Sequence, residues 1–264
     1  MVDLAKSGPV LEVKGISKFY GSVRAIQDVS FSLVPGQVLA CLGPNGSGKS
    51  TTIKMLIGLV KATSGEVLFE GKDIHRDLPA YRKRLGYVPE EANLYPHLTG
   101  NEFLNMIGTL RLMPKPQLEM KIDSLLSLFR LYPFRHQVLG LYSKGMRQRI
   151  LLIAALMDNP DLYIFDEPLS GLDVTSVLIF RNLIQSLSAR GRMVVYCSHL
   201  LEQIEHVCSH LLILANGQVV VCGPAEEMRE RLGQASLERI FMDLVADDGI
   251  VRTANNIIEV IASP

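Results

Sequence analysis

Three glycines, a lysine and a hydroxyl stand at fixed spacing in Gly43-Pro44-Asn45-Gly46-Ser47-Gly48-Lys49-Ser50. That combination can hold a polyphosphate. Glycine lets the backbone curl until successive N–H groups point at one anion. The octet follows the apolar run Val38–Leu42 and opens into Thr51-Thr52-Ile53-Lys54-Met55-Leu56, the order strand, loop, helix. A helix that begins at the lysine adds its N-terminal partial positive charge. Lys49 is placed to reach the outer phosphates. The Ser50 hydroxyl suits Mg²⁺, a hard ion that prefers oxygen ligands. Residues Gly43 through Thr51 are therefore predicted to bind a nucleoside triphosphate.

A second group of chemically able residues lies in Leu162-Tyr163-Ile164-Phe165-Asp166-Glu167. A buried strand beside the one feeding the loop would deliver Asp166 to the bound Mg²⁺. Glu167, one residue on, can orient or deprotonate a water. The simpler reading is a strand capped by two solvated acids. The complete phosphate loop upstream favours the catalytic one.

Elements must exist to bring these groups together. Val10–Val13, Val29–Val34, Glu66–Phe69, Leu85–Val88, Leu162–Phe165, Met193–Cys197, Leu211–Leu214 and Gln218–Val221 read as strands. Tyr20-Gly21 and Pro35-Gly36 read as turns. The helix from Lys49 is expected to end near Gly58. Apolar residues recur at helical spacing over Asn101–Leu112, Gln117–Leu131 and Gly145–Met157, which predicts a helical insertion. Further helices are expected over Val174–Ala189 and Leu200–Cys208. Strands alternating with helices imply an α/β fold with a mainly parallel sheet covered on both faces. From Pro224 to Pro264 there are two short helical patterns, and Ile250–Ile261 matches no pattern.

Composition narrows the class. The 264 residues carry 27 basic and 27 acidic side chains, so no broad positive field recommends nucleic acid. Cys41, Cys197, Cys208 and Cys222 lack metal-ligand spacing and read as small buried hydrophobes in a reducing compartment. No signal-peptide pattern opens the chain and no run of 18 apolar residues occurs. Mean hydropathy of +0.21 is high for a chain without a span and fits either a partly apolar docking surface or an unusually strand-rich interior. His206 and His210, mixed with Glu202, Glu205 and Cys208, read as a solvated helix face and not as a zinc site.

Between about residues 10 and 230 the sequence resembles the nucleotide-binding domains of ABC transporters, whose motifs occur here in the family's order. Tyr20, in Phe19-Tyr20-Gly21, stands where the family stacks a ring on adenine. Tyr142-Ser143-Lys144-Gly145-Met146 matches the signature segment, and Ser143 and Gly145 are the retained residues. Tyr142, Lys144 and Met146 replace the usual residues in a manner resembling the exporter branch. Ser170-Gly171-Leu172-Asp173 resembles the D-loop, with Asp173 also suited to cap a helix. His199, after Tyr196-Cys197-Ser198, matches the switch histidine. Glu90 stands where the family usually has a glutamine that contacts Mg²⁺ and the attacking water.

What the resemblance implies is a P-loop ATPase core with an N-terminal antiparallel β subdomain and a helical subdomain at about 92–160. The ATPase domain spans 1–230, followed by an extension at 231–264. ATP and Mg²⁺ would be held by Lys49, Ser50, Glu90 and Asp166, with Glu167 and His199 catalytic. Ser143 and Gly145 would close the site from a second nucleotide-binding domain, a copy or a paralogue. The chain would sit on the inner face of the cell membrane through a polytopic permease. Leu94, Tyr95 and Leu98 would contact that partner, and ATP hydrolysis would drive export. Family members in translation carry two nucleotide domains in one chain, and those in DNA repair a very long coiled-coil insertion. This sequence has neither. A small-molecule kinase would leave the signature segment and D-loop unexplained.

Overall fold

The computed structural model describes residues 10–169, 173–198 and 206–231. The described residues open with β1 (Leu11–Tyr20) and β2 (Val23–Leu33), an antiparallel pair joined by a turn at Gly21. Next come β3 (Val38–Leu42) and α1 (Lys49–Leu56), with the glycine-rich loop between them. β4 (Ser64–Phe69), the two-residue β5 (Lys72–Asp73), α2 (Leu78–Lys83) and β6 (Leu85–Val88) follow. Three helices succeed one another: α3 (Gly100–Leu110), α4 (Lys115–Leu128) and α5 (Lys144–Leu156). The chain then returns to strands with β7 (Leu162–Asp166), α6 (Val174–Ala189), β8 (Met193–Cys197), β9 (His210–Ala215), β10 (Gln218–Pro224) and α7 (Ala225–Arg231).

The strands form two sheets. One is antiparallel, in the order β2-β1-β4-β5. The other has the order β10-β9-β3-β8-β7-β6, and all its pairings are parallel except the β9–β10 hairpin. Every residue of β3, β7 and β8 is buried, because a parallel sheet is covered on both faces. Strand periodicity divides their side chains. Leu39, Cys41, Ile164 and Val195 face a core shared with α1 and the antiparallel sheet. Val38, Ala40, Phe165 and Tyr196 face the other way, onto α5 and α6. A third cluster, including Phe103, Leu104, Ile122, Leu126 and Ile150, is confined to the helical region.

Where the elements depart from expectation, local backbone is the reason. β1 continues to Tyr20 because its pairing with β2 shifts register past Val13, next to the left-handed Gly15. Such bulges interrupt the alternation from which strands are read. α4 stops at Leu128, short of the expected Leu131, since Arg130 turns left-handed (φ 56°) and the Leu131 N–H returns to the Leu126 carbonyl. A non-glycine residue in that conformation leaves no mark in the sequence. α2 is too short to show a helical period; it is fixed by an Asp77 cap and by the Tyr81 hydroxyl donating to the Leu56 carbonyl at 2.7 Å. The helix expected over Leu200–Cys208 falls mostly outside the described residues, as do residues 232–264.

Two expectations about side chains are corrected. Cys41 and Cys197 are buried as expected, but Cys222 lies exposed on the edge strand β10. His210 belongs to no helix face. It begins β9, half-buried, with Nε2 3.2 Å from the Gln37 amide nitrogen and Nδ1 3.0 Å from Ser209 Oγ. Gln37 Oε1 accepts from the Val34 N–H, which turns the amide nitrogen towards the ring as a donor. His210 Nε2 must then be the acceptor, and the ring is neutral with its proton on Nδ1.

Burial lowers the His210 pKa from its ordinary value, and the Glu227 charge opposes this less strongly. The folded state therefore binds the proton less readily than the unfolded chain. Its contribution to stability is complete above the unfolded histidine pKa of about 6.5 and is lost as pH falls below it. Denaturant midpoints measured at pH 7.5 and 5.5 should thus fall further for the natural protein than for His210→Gln. Equal pH slopes would refute this account.

Candidate functional site

The carboxyl ends of β3 and β7 open on a cleft of about 420 Å³, the position in which open α/β sheets bind ligands. Its floor is the glycine-rich loop and the first turn of α1, including Asn45, Gly46, Gly48, Lys49, Ser50 and Thr51. One wall is Glu90, Asp166 and Glu167, and the other is Val23, Arg24 and Ala25 of β2. The sequence-predicted loop and acids are therefore assembled in one place.

The loop has the backbone its glycines allow. Gly46 and Gly48 have φ of 79° and 106°, values that L side chains rarely adopt. A Cβ on Gly43 would run into the Leu214 carbonyl oxygen and Ser47 Oγ. Lys49 is buried, and its ammonium donates to the Gly43 carbonyl at 2.6 Å and the Pro44 carbonyl at 3.1 Å. An ammonium has three donors, so one remains for the cleft that Lys49 lines. Thr52 ties α1 to the loop by donating to the Gly48 carbonyl at 3.0 Å.

The opposing wall carries excess negative charge. Asp166 ends β7 and is only 6% exposed. Burial pushes its pKa up to about 6; the charges of Glu90 and Glu167 add to this, and Lys49 and Lys54 offset it only in part. Glu167 leaves the strand in a left-handed conformation (φ 46°), its N–H bonded to the Cys197 carbonyl at 3.0 Å. Its Oε2 accepts a hydrogen bond from Ser198 Oγ at 3.3 Å. This clustering of acids suits the wall to a cation. The donor set around it, the Ser50 hydroxyl and the carboxylates of Asp166 and Glu90, is all oxygen and fits Mg²⁺. That ion characteristically takes one or two carboxylates and completes its shell with phosphate and water.

The remaining predicted residues lie elsewhere. Tyr20 ends β1 above the β1–β2 turn, half exposed, with the Lys18 ammonium 5.3 Å from its ring centroid. Ser143 caps α5 by accepting from the Met146 N–H at 3.2 Å, and Gly145 is in that helix's first turn. Asp173 caps α6 by accepting from the Ser176 N–H at 2.9 Å, which holds its carboxyl below the usual range. None of these four lines the cleft. Tyr142 has a packing role: it is 3% exposed and its hydroxyl donates to the Phe134 carbonyl at 2.7 Å. His199 and Ser170-Gly171-Leu172 lie outside the described residues.

Sequence reasoning missed Val23, Arg24 and Ala25. They carry no motif and reach the site only because β2 packs against the loop, where a Cβ on Gly48 would collide with Ile26. Arg24 also offers a second cation beside Lys49, with its guanidinium bonded to the neutral Gln27 side chain at 2.7 Å.

Known proteins share this arrangement. A family profile described as ABC transporter matches residues 26–170. The chain is 32% identical over 221 residues to the ABC transporter ATP-binding protein NatA of Bacillus subtilis, covering 83% of this chain and 90% of NatA. It is 32% identical over 222 residues to the Nod factor export ATP-binding protein I of Ralstonia nicotianae, covering 84% of this chain and 69% of that protein. A solved structure titled as the ATP binding subunit of an ABC transporter superposes with a TM-score of 0.84 at 32% identity, covering 89% of this chain and 99% of the other. With a P-loop cleft on a mostly parallel sheet, the chain belongs to the ABC transporter family of ATPases. Within that family it is an ATP-binding subunit, an ATPase whose hydrolysis is coupled to transport. No helix among the described residues is long and apolar enough to cross a membrane.

Glu90 places a carboxylate beside Asp166 where an amide would be neutral. It also brings negative charge close to a triphosphate bound without metal, a repulsion on the order of 1 kcal/mol in a solvent-open cleft. Glu90→Gln should therefore raise ATP affinity in EDTA roughly fivefold and flatten its dependence on Mg²⁺. Titrations of nucleotide binding against Mg²⁺ check this, and superimposable curves for the two proteins would exclude it.

Proposed function

We propose that this chain hydrolyses MgATP at the interface of a head-to-tail dimer of nucleotide-binding domains and so drives export through a separate membrane permease. One observation carries the reading. Lys49, Ser50, Asp166 and Glu167 line a single cleft, while Ser143 and Gly145 sit at the N-terminus of α5, outside it. Each half of the phosphate chemistry is then present in one chain, and the halves meet only between chains. Ser143, Gly145 and Asp173 would close over nucleotide held by the partner's loop, and Tyr20 would stack on the base. Similarity to a Nod factor export protein supports the outward direction.

The steps follow from charge and position. Phosphoryl transfer is catalysed mainly by placement and charge stabilisation. The loop N–H groups and Lys49 take the triphosphate. Ser50, Asp166 and Glu90 would hold Mg²⁺, which supplies charge neutralisation on the phosphate oxygens when bound. Glu167 orients the attacking water and accepts its proton. His199 is assigned a hydrogen bond to the γ-phosphate and that water. Loss of the γ-phosphate removes the link between the two halves, and the dimer opens.

The domain reading is that residues of about 92–160 form a helical subdomain inserted in an ATPase domain of 1–230, supported by the separate helical core. Residues 231–264 form an extension. Docking of the permease is assigned to the segment after β6, which would hold the chain at the inner face of the membrane. Of the proposed contacts Leu94, Tyr95 and Leu98, the tyrosine offers the most exposed surface. Leu94 and Leu98 are half-buried against the chain's own cores, whereas Tyr95 is 58% exposed.

Glu167→Gln tests the dimer. It should lower ATP hydrolysis by about 10²- to 10⁴-fold and, with MgATP, shift the protein from monomer to dimer on size exclusion. A variant that stays monomeric at saturating MgATP, with hydrolysis by the natural protein independent of its concentration, would overturn the split site. Tyr95→Asp should abolish transport in membranes while basal ATPase activity of the isolated subunit is kept. If both fall together, Tyr95 serves the fold instead.

A further inference from the structure

The glycine-rich loop does not rest on its own helix alone. β9 and β10 are joined by the two-residue turn Asn216–Gly217, in which both residues have positive φ (50° and 76°), as tight hairpins require. The Gly217 N–H donates to the Ser47 carbonyl at 3.1 Å, and the Gly217 carbonyl accepts from the Gln27 N–H at 2.7 Å. A single residue thus ties the phosphate loop to β2.

Contacts too close for a side chain lock the same three pieces. A Cβ on Gly217 would lie 2.7 Å from the Ala25 carbonyl oxygen and 3.3 Å from Ile26 Cα. A Cβ on Gly48 would lie 3.0 Å from that same oxygen and 3.7 Å from Gly217 Cα. The loop, β2 and the hairpin turn meet backbone against backbone, and two of the glycines that permit this lie 169 positions apart.

We propose that Gly217 is a positioning residue of the nucleotide site, acting through the Ser47–Gly48 peptide. In a trans peptide the C=O and N–H point in opposite directions. Anchoring the Ser47 carbonyl on Gly217 therefore aims the Gly48 N–H away from the turn, into the cleft that Gly48 lines. Such a donor, fixed beforehand, binds phosphate without paying to order the loop. The same clamp sets the distance of Val23, Arg24 and Ala25 from the loop, since β2 is held at Gln27. Gly217 touches no reacting atom, so it governs how tightly nucleotide is held and not how fast the bound nucleotide reacts. This inference rests on nucleotide binding in the cleft alone and is independent of dimerisation or export.

Gly217→Ala and Gly191→Ala together test it. Gly191 has φ of 79° and open space where a Cβ would go, so its alanine carries the backbone strain without the collision. Gly217→Ala should raise both the Kd for MgATP and KM roughly tenfold, with kcat within about twofold of the natural enzyme. Gly191→Ala should leave Kd and KM unchanged while losing the thermal stability that the backbone strain alone costs. Natural-protein affinity in Gly217→Ala, or equal weakening in both variants, would overturn the proposal. A measurement on the natural protein covers the case in which Gly217→Ala does not fold. Binding that uses the clamp must tighten it in return, so a non-hydrolysable ATP analogue with Mg²⁺ should slow exchange of the Gly217 amide roughly tenfold and leave the Gly191 amide unaffected. Unchanged Gly217 protection would reject the clamp.

Discussion

A buried lysine facing a buried aspartate across one cleft is the constraint on which the rest of this molecule depends. Neither charge would be stable there alone, because removing an ion from water costs several kcal/mol even after relaxation. Lys49 is held by two carbonyls of its own loop. Asp166 is held at the end of a fully buried strand, between two other acids. An anion for Lys49 and a cation beside Asp166 would complete this balance, and ATP carrying Mg²⁺ would bring both. The site is a charge deficit that its substrate fills.

Keeping such a deficit open requires a rigid frame, and the six-stranded sheet supplies it. β3 and β7 each pair with β8 between them, so the loop and the acids lie two strands apart with β8 as a fixed spacer. Both faces of these strands are packed with apolar side chains. At native packing density a shift of one strand would open voids or create clashes. The antiparallel sheet adds the second wall and contacts the loop through glycines, where only backbone can fit. The helical region keeps its own core and carries the signature residues away from the cleft, which leaves them available to another chain.

Much of this was legible in the sequence because local physics wrote it there. The glycine spacing of residues 43–48 can serve few purposes other than curling backbone round an anion. β3, β7 and β8 announce themselves as short apolar runs, and the spans 85–88, 174–189 and 193–197 agree with the structure residue for residue. The ends of α3 at Leu110 and of α4 at Leu128 were not legible, since the left-handed Leu112 and Arg130 that follow them look like any other residues. The place of His210 was not legible either. Glu202 and His206 precede it at helical spacing, but it opens the apolar strand β9 and one of its partners, Gln37, lies far away on the approach to β3.

The sequence by itself determined the chemistry: an octet that binds triphosphate, two acids after a buried strand, and a signature segment belonging to the same family. Residue type and close spacing suffice for those, because each acts through its own few peptide units. Only the tertiary structure decided which of these groups share a cleft, that Leu94 and Leu98 turn inward while Tyr95 does not, and that Val23–Ala25 form a wall. It also decided that Gly217 bears on Ser47. Those facts depend on distances between segments far apart in the chain, set by sheet order and by close packing, and no local pattern encodes them.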